Sequence, residues 1–101
     1  MTAVVSRLTD GNGLVLSGAV DSANAMQCEA EGLALIADLA AGPCICDLSG
    51  LTTGNSVTAA VLMSWRRAAG KRQQTLTLQA IPTRLHAILQ ASNLLPVFTP
   101  T

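Results

Sequence analysis

The stretch that most constrains this chain runs from Gly42 to Trp65: Gly-Pro-Cys-Ile-Cys-Asp-Leu-Ser-Gly-Leu-Thr-Thr-Gly-Asn-Ser-Val-Thr-Ala-Ala-Val-Leu-Met-Ser-Trp. A Gly-Pro break followed by the short apolar run Cys44–Asp47 reads as a buried central strand. Ser49-Gly50 and Thr52-Thr-Gly-Asn55 then form a turn-rich loop, and Asn55-Ser56 opens a helix that runs to Ala69. A strand, a tight loop and a helix in that order commit the chain to an α/β layer. They also place a hydroxyl, that of Ser56, at a helix mouth, where a partner or a phosphoryl group can act. The remainder of the chain offers little competing chemistry, so this loop is the place to look for function, and recognition fits it better than catalysis.

The flanking segments extend the same pattern. Ala3 to Thr9 and Leu14 to Leu16 are apolar or β-branched runs separated by Asp10-Gly-Asn-Gly13, a strong hairpin signal. Asp21 or Ser22 can cap a first helix with Ala25, Met26, Glu29, Leu33, Ile36 and Ala37 at helical spacing. Gly32 inside it is a mild penalty. Thr75-Leu-Thr-Leu-Gln79 alternates as a strand with one wet face, and Pro82 suits the first turn of a third helix carrying Leu85, Ile88 and Leu89. Asn93-Leu-Leu-Pro96-Val-Phe98 reads as a short final edge strand. The predicted architecture is a single α/β domain over residues 1–101: one mixed sheet layer, mostly parallel at its centre with an antiparallel hairpin edge, packed by three to four helices.

Composition narrows the function. Half of the 101 residues are apolar and 12% are charged, which supports a packed core and argues against disorder. One Trp, one Phe and no Tyr leave little to stack bases on, so no nucleic-acid partner is expected. The formal net charge is zero but segregated: every Asp and Glu precedes Leu48, and every Lys and Arg except Arg7 follows Ser64. Such segregation builds one acidic and one basic surface, or two solvated helix faces of opposite sign. Neither a secretory leader nor an apolar run approaching the roughly 20 residues of a membrane span is visible. Three cysteines form no disulfide framework, and a cytoplasmic location is expected.

Individual residues admit competing readings. Asn55 and Ser56 are both good helix caps, and Ser56 is also a candidate contact or regulatory hydroxyl. Trp65 belongs either to the core or to an interface, because the first turns of its helix are apolar all round. One stripe holds Val57, Ala60, Val61, Ser64 and Ala68; another holds Leu62, Trp65 and Ala69. Arg66, Arg67, Lys71 and Arg72 suit the helix C-terminus electrostatically and could also face an acidic partner or lipid headgroups. Cys44-x-Cys46, with His86 or Cys28, is a poor metal set, since buried strand cysteines behave as small hydrophobes. No metal or cofactor is expected. No nucleophile–histidine–carboxylate set or Walker-type loop is present, so no catalytic residues are assigned.

From Asp47 to Trp65 the pattern resembles the STAS domain, the fold of anti-sigma-factor antagonists and sulfate-transporter tails. In that family a strand ending in an Asp-Leu-like pair leads through a short loop into Asp-Ser/Thr-Ser/Gly-Gly-Leu at a helix start. Here that place reads Asn55-Ser56-Val57-Thr58-Ala59. The likeness extends over the hairpin, the acidic first helix, the strand Leu76-Thr-Leu-Gln79 and the closing Arg84-Leu85 to Pro96. Within the family the chain is most similar to the MlaB-like group, the small cytoplasmic subunit of Mla-type phospholipid ABC transporters, whose motif hydroxyl falls on Ser56. The resemblance implies a non-enzymatic subunit that binds and regulates the transporter ATPase. Such a subunit is peripheral to the inner membrane, associates indirectly with the permease, and serves outer-membrane lipid asymmetry. It further implies partner contacts at Gly54, Asn55, Ser56 and Thr58, with Trp65 and the Ser17–Asp21 turn as additional candidates. The alternative within the family is a phospho-regulated anti-sigma-factor antagonist, with Ser56 as the possible phosphosite. Asn55 stands where the family has an acid, Val57 where antagonists carry a second serine, and Thr58 where they carry glycine. These departures weaken the antagonist reading more than the transporter one.

Overall fold

The computed structural model describes residues 2–98. The chain runs β1 (Ala3–Arg7), β2 (Gly13–Gly18), α1 (Ala25–Asp38), β3 (Gly42–Asp47), α2 (Ser56–Lys71), β4 (Gln74–Gln79), α3 (Thr83–Ala91) and α4 (Leu95–Phe98). The four strands form one sheet in the order β1-β2-β3-β4. The hairpin β1–β2 is antiparallel, with Val5 opposite Leu16. β2–β3 and β3–β4 are parallel, with Cys44 beside Leu76 and Cys46 beside Leu78. Right-handed crossovers between strands added one after another in the same direction put both crossover helices on one face. Burial follows: Leu14, Leu16, Cys44, Cys46, Leu76 and Leu78 are buried under the helices, while Val15, Ile45 and Thr77, which alternate with them, are only half-buried. The mixed sheet and helix count agree with the sequence expectation.

α1 and α2 pack on one another as well as on the sheet, and their contact depends on one glycine. A Cβ on Gly32 would lie 2.0 Å from Cε2 of Trp65, so the indole occupies the space that any other residue would fill. Trp65 is fully buried and its Nε1 donates to the Glu29 carbonyl at 3.2 Å. The buried face of α2 is Thr58, Ala59, Val61, Leu62, Trp65 and Ala69: it contains the whole Leu62, Trp65 and Ala69 stripe but only Val61 of the other, whose Val57, Ser64 and Ala68 are half-buried and whose Ala60 is exposed.

The last carbonyls of α1 lack partners within the helix. Two side chains from beyond the next crossover supply them. The buried Gln74 amide donates to the carbonyls of Ile36 (3.0 Å) and Leu39 (3.1 Å), and Arg72 donates to that of Ala37 (2.9 Å). Arg72 thus caps α1, a role the charge pattern did not suggest.

Two expectations are corrected. Asn93–Phe98 is not an edge strand: Leu95–Phe98 is a short helix, with Phe98 buried as its anchor. Pro96 fits because a first-turn residue has no intrahelical N–H bond to lose. The first helix begins at Ala25 rather than just after Asp21 or Ser22. Asp21 Oδ1 instead accepts the N–H groups of Ala23 (2.8 Å) and Asn24 (3.0 Å), holding a turn that leads into α1.

Candidate functional site

Parallel strands place the loops that follow them at one common edge of a sheet, the usual location of binding sites in α/β folds. Here the β3–α2 loop and the β4–α3 connection meet at that edge. They enclose a cleft of about 310 Å³ lined by Thr52, Thr53, Gly54, Asn55, Pro82 and Arg84.

The β3–α2 loop is stitched to the turn after β2. Thr52 donates its N–H to the Gly18 carbonyl at 2.8 Å, and Thr53 Oγ1 accepts the Val20 N–H at 3.1 Å. Asn55 closes the seam from both ends of its amide. Its Nδ2 donates to the Val20 carbonyl at 3.0 Å, while its Oδ1 accepts the N–H and the hydroxyl of Thr58, each at 2.8 Å. Asn55 is therefore the cap of α2 and also a latch to the β2–α1 turn. A carboxylate at this position would keep the cap but could not donate to Val20.

These bonds sort the expected contact residues. Ser56, the first residue of α2, is exposed, and its side chain makes no hydrogen bond among the described residues. Asn55 is half-buried at the cleft wall. Thr58 does not face outward: it is fully buried, with its hydroxyl on Asn55 and 3.5 Å from that of Thr53. Once Asn55 accepts at the cap, the helical turn carries Thr58 onto the core stripe. Gly54 is buried but lines the cleft. A Cβ there would come within 2.5 Å of the Leu85 backbone nitrogen, so the missing side chain lets α3 approach the loop. Trp65 is fully buried in this chain and supports α2 from beneath. The Ser17–Asp21 turn, the weaker candidate, is tied directly to the loop. Thr52 and Thr53, within the loop the sequence points to, also line the cleft, as do Pro82 and Arg84, which the sequence does not single out as site residues. The signal was present: Pro82 begins a helix after a parallel strand, so its first turn must lie at the same edge as Ser56.

Among the described residues no group of three or more His, Cys, Asp or Glu side chains is placed to hold a metal ion. The cysteines lie in the core, and burial pushes the thiols of Cys28, Cys44 and Cys46 above their ordinary value of 9.0; Glu31 and Asp21 add to the effect at Cys28. Because the folded state holds these protons more tightly than the unfolded chain, their contribution to stability is intact below pH 9.0 and falls as pH rises above it. The melting temperature is expected to be flat from about pH 7 to 8.5 and to decline beyond it, with native-state thiol labelling slow throughout. A flat profile into the alkaline range, or rapid labelling, would contradict this burial.

The family model for the MlaB STAS domain matches residues 4–95. The chain belongs to the MlaB-type STAS family. Two solved structures share 36% identity with this STAS chain, both from the Acinetobacter MlaFEDB complex. One is in the ATP-bound Vtrans1 conformation (TM-score 0.73, 88% of this chain and 90% of that one); the other is in the ATP-bound Vtrans2 conformation (TM-score 0.77, 90% and 93%). The anti-sigma-factor antagonist SpoIIAA in its unphosphorylated form aligns at TM-score 0.70 over 94% of this chain and 84% of that one, but at 16% identity, a likeness of fold alone. No curated protein matches the sequence. For this STAS domain, no described helix is long and apolar enough to cross a membrane.

Proposed function

We propose that this MlaB-type STAS domain is the accessory subunit of a phospholipid-transporting ABC complex. It docks on the ATPase subunit at the cytoplasmic side of the inner membrane and reaches the permease only through that subunit. The observation that carries the reading is the 36% identity, sustained over about nine-tenths of both chains, with a subunit of a complex captured in ATP-bound states. The local geometry supports it. Ser56 stands exposed at the start of α2, next to a cleft whose β3–α2 wall is hydrogen-bonded to the β2–α1 turn. A pre-ordered loop loses little entropy on docking. A subunit that binds one ATPase conformation more tightly than another shifts the population toward it, which is regulation without catalysis.

Replacing Ser56 by tryptophan puts a bulky neutral side chain at the centre of this surface without touching the core. The expected result is an unchanged melting temperature and a loss of affinity for the ATPase subunit of at least about tenfold, measured by titration calorimetry. Undiminished binding would remove Ser56 from the interface.

A further inference from the structure

We propose that the cleft between the β3–α2 loop and the first turn of α3 receives a carboxylate side chain of the ATPase subunit, and that Arg84 is the residue that reads it. This rests on the reading of the chain as the ATPase's partner. Arg84 is exposed and its side chain makes no hydrogen bond or ion pair among the described residues. Its position is nevertheless held: the missing side chain of Gly54 admits α3 so closely that the Arg84 Cβ lies 3.0 Å from where a Cβ on Gly54 would be, and the neighbouring Leu85 is anchored in the core.

The walls contribute hydroxyls and amides from Thr52, Thr53 and Asn55, and no acidic residue lines the cleft. Asn55 is a neutral amide, and both of its ends are already engaged, by Thr58 and by Val20. The Arg84 guanidinium thus has no acceptor of its own at the cleft and is free to take a carboxylate from the partner. Guanidinium matches a carboxylate in fork geometry, which sets orientation as well as attraction. The other sizeable groove, about 370 Å³ between β1 and α1, is lined by Glu31 and no cation, so it has the opposite preference.

The test titrates the purified full chain against the ATPase subunit from the same organism at low and at high salt. Arg84→Gln is expected to weaken binding about tenfold at low salt and to flatten its salt dependence; Arg84→Glu is expected to weaken it about 100-fold. Melting curves of both variants should match the parent, since the side chain is exposed. Should Arg84→Glu fold poorly, Arg84→Gln decides alone. If the parent chain binds and both variants bind equally well at both salts, Arg84 does not read a carboxylate, and the partner reading stands without it. If the parent chain itself fails to bind the ATPase, the partner reading and this inference fall together.

Discussion

Gly32→Val is expected to lower the stability of the domain by at least about 3 kcal/mol. The reason is geometric. Even a methyl group at position 32 would sit 2.0 Å from Cε2 of a fully buried indole. That ring has no room to swing aside, and its Nε1 is engaged with the Glu29 carbonyl one turn earlier on the same helix. α1 must therefore move away from α2, opening the contact that joins the two crossover helices. For Gly32→Ala two terms compete: helix propensity gains about 1 kcal/mol, and overpacking loses about 1 to 3 kcal/mol. Urea midpoints of the two single variants and of Gly32→Val combined with Trp65→Ala measure the coupling. Trp65→Ala alone should lose about 3 to 5 kcal/mol, and the double variant should lose clearly less than the sum, because the cavity left by the indole accepts the valine. Simple additivity would mean that the two residues do not share this space.

Gly32 also shows where the sequence was legible and where it was not. Strand and helix order followed from local signals: Asp10-Gly-Asn-Gly13 for the hairpin, Gly42-Pro43 before the central strand, and alternation in Thr75–Gln79. Each of these is a property of neighbours in the chain. By contrast, a glycine within a helix registers locally only as lost propensity, and a tryptophan on an apolar helix fits core or interface equally. Only when the two helices cross does each explain the other. The same limit applied to the site. The strand–loop–helix pattern located it, and Asn55 as cap followed from residue type. That Thr58 turns inward depended on which of Asn55 and Ser56 caps the helix, since the cap sets where the first turn begins. Arg84 lies almost thirty residues from Ser56 in sequence and joins the cleft through the tertiary contact at Gly54. At the C-terminus, Leu95–Phe98 is too short for periodicity to distinguish helix from strand, and the burial of Phe98 settles it.

Gln74 carries the second large expected effect. Its amide nitrogen serves two carbonyls at the end of α1, so both N–H groups are used, and its Oε1 is buried without a partner. Gln74→Met would keep much of the volume but take the amide donor from the Leu39 carbonyl and leave the Ile36 carbonyl with only the Leu39 N–H, at a loss of about 1 to 3 kcal/mol. Gln74→Glu preserves the shape but aims a carboxylate at two carbonyl oxygens in a buried site, and should lose about 3 to 5 kcal/mol at neutral pH. The sign of its pH dependence distinguishes this from simple loss of packing. Burial without a cationic partner raises the folded-state pKa of the new carboxyl above its unfolded value of about 4.3. Below about pH 4.3 the group is protonated in both states, and its hydroxyl can donate to one of the two carbonyls. As pH rises from there, the unfolded chain ionises first and stability relative to the parent declines until the folded-state pKa is reached. Comparing urea midpoints of the parent, Gln74→Met and Gln74→Glu from about pH 4 to 8 should show a gap that widens with pH only for the glutamate variant. A constant gap would mean that the carboxyl reaches solvent, and that this amide does not seal the end of α1 against the start of β4.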